Sequence, residues 1–188
     1  MNPIRQRRRQ RAAAAVEFAA GLVLFFVFVF GIIELARFFY LRSTMVEVTR
    51  RAARMAANTD LMDPAKMSAL RIKANLGLTK VPLSGPELSH ANLSIDYLNA
   101  QRNRVDPKFC GAQNLINCSK DSQAANCIRF VRVRLCATDA GAACPGIAYV
   151  PMIGQGLLPT GGWAYPPYTT LTPVGSLGHV PGQTANCP

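Results

Sequence analysis

The run from Phe18 to Ile33 carries no charged side chain, and it limits what the rest of the chain can do. Extended back through the alanines to Ala12 it comprises roughly 22 residues, about 33 Å as a helix, enough to cross the hydrocarbon core of a bilayer. Five arginines precede it, Arg5, Arg7, Arg8, Arg9 and Arg11. Basic residues beside an apolar span hold that end in the cytoplasm, which places the C-terminal end outside. A cleavable secretory signal would have a shorter apolar core with small residues after it. Here the small residues come before the core, and Gly31-Ile-Ile-Glu-Leu-Ala-Arg-Phe-Phe-Tyr40 continues in helical character, with Glu34 and Arg37 three apart. The segment therefore reads as a retained transmembrane helix.

Glu17 stands at the leading edge of this run. An ionisable group at the entrance to a membrane helix is costly and marks a functional position, although a carboxylate resting in the headgroup layer is the simpler alternative. The surrounding octet, Arg11-Ala-Ala-Ala-Ala-Val-Glu-Phe18, resembles the processing site of the TadE-like minor pilins of the Flp (tight adherence) pilus system, which typically read R-G-A-A-A-V-E-F. The resemblance implies that a prepilin peptidase cuts between Ala12 and Ala13 and leaves Glu17 as the fifth residue. It also implies that this glutamate helps align a new subunit in the membrane. Ala12 stands where the family usually has glycine. Cleavage there would remove all five leader arginines and create an ammonium at Ala13, one helical turn from Glu17.

The 188 residues leave one domain's worth of chain after the leader and span. A net charge of +11 could suggest nucleic acid, but much of the excess lies in the leader, so no nucleic-acid partner is expected. All six cysteines, Cys110, Cys118, Cys127, Cys136, Cys144 and Cys187, fall in the C-terminal half. On the outer side of a membrane an even number reads as disulfides, and the pairing is left open among the 15 that six cysteines allow. Without a C-x-x-C, no metal site is expected.

Beyond the span, Phe38, Leu41, Met45, Val48, Ala52 and Met55 repeat at 3-4 spacing, an apolar seam on a helix that continues to about Asn58. The seam is too short to favour a coiled coil and is expected to pack on the protein's own domain, with Glu47 paired to Arg51 on the outer face. Asp63 and Pro64 read as the N-cap and first residue of a short helix over 65–76, ended by Gly77. Leu93 to Tyr97 and Cys127 to Cys136 read as strands. Arg129, Arg132 and Arg134 on the second alternate imperfectly, so part of one face is expected to be solvated, a charged face rather than a ligand site. From Gly141 onward Gly and Pro predict an irregular coil over the domain, fastened by Cys187. Its Trp163, Tyr165 and Tyr168 are expected to be partly buried, with an exposed recognition surface as the alternative.

His90 and His179 have no acid or metal partner near them in sequence, and no nucleophile, phosphate-binding or zinc motif occurs. The sequons at Asn92 and Asn117 carry little weight. No enzymatic activity and no cofactor are expected. The fold class is α+β: a basic leader (1–12), a transmembrane and amphipathic helix (13–59), and a small disulfide-stapled, periplasmic mixed domain with few strands (60–188). The resemblance implies a minor pilin that primes, caps or supports a Flp pilus and so aids surface attachment, since the major Flp pilin is far shorter. Ser176 to Gly182 is also similar to TadE-like tails. Implied partners are other pilins, Tad inner-membrane assembly proteins, the prepilin peptidase and the lipid bilayer of the inner membrane. An uncleaved single-pass scaffold and a membrane-anchored adhesin are the alternatives.

Overall fold

The structure is a computed structural model that describes residues 3–78, 80–81, 88–106, 108–138, 143–152 and 164–182. Helix α1 runs unbroken from Pro3 to Ala56, longer than the seam alone requires, and changes character along its length. From Val16 through Ile33 its large apolar side chains stand exposed, with Leu22 and Val29 half-exposed. From Leu41 onward the seam residues Leu41, Met45, Val48 and Ala52 are fully buried, joined by Ala53 and Ala56. Fully burying a side chain such as Leu, Met or Val contributes about 1.5–3 kcal/mol. The seam packs intramolecularly, against the sheet and α2.

Helix α2 spans Pro64–Ala74. Asp63 caps it, its Oδ1 accepting from the backbone N–H groups of Ala65 and Lys66 at 3.0 and 3.1 Å. The stop differs from expectation. Leu76, not Gly77, takes the first left-handed position (φ 61°), and Gly77 N–H closes on the Ile72 carbonyl at 3.0 Å, the wide bond of a Schellman ending.

The main sheet is antiparallel in the order β2-β1-β3-β6, with β1 Leu93–Leu98, β2 Arg104–Val105, β3 Phe130–Leu135 and β6 Thr169–Pro173. A second pair, β4 Ile147–Ala148 with β5 Ala164–Tyr165, forms a separate two-stranded ribbon. Leu93, Tyr97, Val131, Val133 and Leu135 share the face that α1 covers. β3 is shorter than the sequence suggests. Cys127 is tied to Cys118, and the buried Asn114 amide satisfies both backbone groups of Ile128 (2.8 and 3.2 Å). Asn114 comes from α3, Gly111–Lys120, and substitutes for a neighbouring strand there.

The C-terminal stretch is more ordered than its composition predicts. β6 joins the main sheet beside β3; β-branched threonines suit a strand, and Pro173 is tolerated because β6 is an edge. The chain then clamps the end of α1. Gly175 and Leu177 N–H both donate to the Ala57 carbonyl (3.0 and 3.1 Å). Thr170 and Thr49 hydroxyls meet at 3.1 Å. A Cβ at Gly178, with φ +79°, would lie 2.6 Å from the Asp60 nitrogen, so only glycine passes there. The expected coil is thus a strand and a clasp.

Disulfides join Cys118 to Cys127 and Cys136 to Cys144, each closing a short loop at one end of β3. Cys110 is also disulfide-bonded. Cys187 and Trp163 lie outside the described residues.

Candidate functional site

The apolar half of α1 is a surface without a protein partner. None of its most apolar 18-residue window is buried inside the molecule, and that window's mean hydropathy is 2.6. Phe25, Phe26, Phe28 and Phe30 are among the exposed side chains, and Phe26 stacks on Phe30 one turn on at 5.7 Å. An all-round apolar helix suits lipid or other apolar helices rather than water. Among the described residues this is the one helix long and apolar enough to span a bilayer. Ala12, Ala13 and Glu17 all lie on it, exposed, and Glu17 meets no partner among the described residues.

A polar cluster sits where α1 leaves its apolar stretch. Glu34 Oε1 accepts from Arg37 Nη1 (3.2 Å), from the Tyr149 hydroxyl, and from Met152 N–H (3.3 Å). Arg37 Nη1 also donates to the Val150 carbonyl at 2.9 Å, and the guanidinium lies 5.6 Å from the Tyr149 ring centroid. One turn further, Phe38 stacks on Tyr165 (5.2 Å) and meets Tyr149 edge-on (5.6 Å). Both charges are largely buried; Arg37 and the β4 end of the ribbon converge on Glu34 Oε1, while Oε2 is buried without a hydrogen-bond partner among the described residues. The i,i+3 pair is visible in the sequence; its partners, more than a hundred residues away, are not. Tyr165 is 2 % exposed, so it is core and not part of a recognition surface.

Burial first, then the bond to Glu34, pushes the Tyr149 phenol up to about 12; burial does the same for Tyr97. An unfolded tyrosine ionises near 10. The folded state therefore holds these protons more tightly, and the stability this contributes is complete below pH 10 and lost as pH rises towards about 12. Phenolate absorbance of the intact chain should show at least two of the five tyrosines lagging, with loosening in the same window, and Tyr149→Phe should remove one lagging group. Five tyrosines titrating together near pH 10 would contradict the geometry.

Of the three arginines expected on a partly solvated face, Arg129 is exposed and Arg132 half-exposed, while Arg134 is buried. Asp96 on β1, 2 % exposed, pairs with Arg132 (2.9 Å) and Arg134 (3.0 Å), and Arg104 approaches to 3.6 Å. Only Arg129 of the three stays fully outside. The second face of the sheet is closed by this cluster, which is why β1 is buried on both sides.

The remaining candidates serve the fold. Asn92 accepts from Ser89 N–H and donates to the Cys136 and Ala137 carbonyls. Asn117 accepts from Gln113 and donates to Asn126. Both sequon amides are thus engaged. His90 sits in a short 3₁₀ turn. His179 lines an open cleft of about 660 Å³ with Arg54, Lys66 and Lys73. Among the described residues no three His, Cys, Asp or Glu side chains gather as a metal site would need.

An exposed apolar helix, continuous with the core of a small α+β domain, is the single candidate membrane anchor among the described residues. Residues 12–54 match the model of a known family, described as TadE-like protein. The match covers the apolar half and most of the seam of α1, 43 of the 188 residues, so it is this helix that is similar to the TadE-like family. No curated protein and no solved structure matches the chain.

Proposed function

We propose that this protein is a minor pilin that primes, caps or supports assembly of a Flp pilus, acting as a structural subunit rather than an enzyme. The observation that carries the reading is the coincidence of the TadE-like match at residues 12–54 with a helix that exposes its whole apolar half and a lone Glu17. The leader would lie in the cytoplasm of an inner-membrane precursor and the disulfide-bonded domain in the periplasm. Cleavage between Ala12 and Ala13 would give the new ammonium a place near the Glu17 of a neighbouring subunit, where low dielectric strengthens the pair. The phenylalanine-rich surface would exchange lipid for neighbouring helices.

The test is the N-terminal sequence and intact mass of the protein from native membranes, together with its recovery in sheared fibres. A chain beginning at Ala13 and present in the fibre is the expected result. Glu17→Gln should leave cleavage intact and remove the subunit from the fibre fraction. One observation favours a second reading, an uncleaved scaffold: α1 passes without a break through Ala12–Ala13. A chain beginning at Met1 and confined to the membrane would select it.

A further inference from the structure

We infer that the ribbon edge of the domain, Tyr149 to Met152, lies in the lipid headgroup layer of the membrane that α1 spans. The domain then rests on the bilayer and does not stand clear of it. The inference depends on the anchoring of α1 but not on any role in a pilus.

Glu34 follows the last residue of the charge-free run, Ile33, so it marks the height at which the helix leaves the hydrocarbon. Tyr149, Val150 and Met152 are all bonded to Glu34 or Arg37, which fixes them at that same height. Met152 nevertheless turns outward, 59 % exposed. On the other sides of the helix and within two turns of Glu34, Phe39 (53 %) and Tyr40 (41 %) are exposed as well. A lipid surface is a plane around the helix, so side chains pointing in several directions at one height can all meet it. Aromatic rings with a polar tip concentrate in that layer.

Charge separates this edge from the rest of the domain. The chain has no Asp, Glu, Lys or Arg after Asp139, so neither strand of the ribbon carries one. The far end of α1 and α2 is strongly charged and exposed, with Arg54 at 70 % and Lys66 at 59 % side-chain exposure. The charges that bond to the ribbon end among the described residues, Glu34 and Arg37, are paired and turned inward. An edge whose described residues carry no charge and which exposes Met152, beside a membrane helix that exposes its own Phe39 and Tyr40 at that height, matches the interface in chemistry and position.

The test uses the full chain in phosphatidylcholine/phosphatidylglycerol nanodiscs with methyl-labelled methionine. Met152→Leu and Met62→Leu assign the two signals. Met62 lies beyond the far end of α1, 22 residues past Glu34 at Ala56 or about 33 Å along the axis. A lipid carrying a nitroxide just below the headgroup should abolish most of the Met152 signal and leave Met62 unchanged. A water-soluble gadolinium chelate should do the reverse. Met152 responding like Met62 to both agents overturns the inference. Protection of Met152 from both agents also overturns it, because a second protein copy would then cover the edge. Failure of the chain to elute with the discs would overturn the anchor itself and this inference with it; a disc-bound chain with an unaffected Met152 signal overturns the inference alone.

Discussion

A fragment comprising residues 60–188 is expected not to fold, whereas residues 34–188 should fold cooperatively. The shorter fragment contains every strand and every cysteine, and by composition it is the whole outer domain. It lacks the wall against which that domain is built. Leu41, Met45 and Val48 have no exposed surface, and Ala52, Ala53 and Ala56 let the helix come close to the sheet and α2. Truncating one large core side chain costs roughly 2–5 kcal/mol, and a domain's net stability is about 5–15 kcal/mol. Removing three such side chains with their helix is comparable to the whole of that margin. The sheet face of Val131, Val133 and Leu135 would be left in water, and the clasp at Gly175 and Leu177 would lose its acceptor, the Ala57 carbonyl. Near-ultraviolet circular dichroism and a thermal transition decide the matter. The longer fragment should melt in one step and the shorter should show no transition, with its disulfides intact in both cases. Cooperative melting of residues 60–188 would mean that the helix decorates the domain instead of completing it.

The same contacts give α1 two functions that cannot be separated by a linker. Its first half is an exposed apolar candidate anchor and its second half is core, and the two join without a break. A displacement of the first half therefore moves the domain as a rigid body. Glu34 and Arg37, at the junction, add a second fastening through the β4–β5 ribbon. A protein built this way has a defined orientation relative to its anchor.

Much of this was legible in the sequence because it depends on local pattern. The apolar run, the 3-4 seam, the Asp63 cap and the cores of β1 and β3 each follow from side chains within a few positions of one another. What was not legible depends on partners far away in the chain. β6 could not be recognised from Thr169–Pro173, since its pairing with β3 outweighs the nearby prolines only because an edge position tolerates them. The end of β3 could not be placed at Phe130, since Asn114 takes the place of a strand partner at Ile128. The Glu34–Arg37 pair was visible, but Tyr149 and Met152 were not. The burial of Arg134 and the pairing of Arg132 are hidden because nothing in their own strand reveals Asp96 across the sheet.

Asp96→Asn should be among the most damaging single substitutions in the domain, lowering stability by about 3 kcal/mol and the melting temperature by roughly 10 °C. The carboxylate is 2 % exposed and is approached by three guanidiniums. The amide preserves shape and some hydrogen bonding but removes the only negative charge. Arg132 and Arg134, two apart on one face of β3, would then repel each other in a region of low dielectric. The cost falls at the lower end of the range for broken buried pairs because Arg132 keeps 31 % of its side chain in water. Arg104→Ala supplies the contrast. That side chain is 60 % exposed and 3.6 Å away, so its loss should cost less than about 1 kcal/mol. Thermal melts of the two variants in moderate salt distinguish a buried cluster from a surface one. A large effect of Asp96→Asn that salt leaves unchanged, beside a small effect of Arg104→Ala, means that a single carboxylate organises the outer face of the sheet. Equal and small effects would mean that water already screens the arginines, and that the face is the solvated one its sequence suggests.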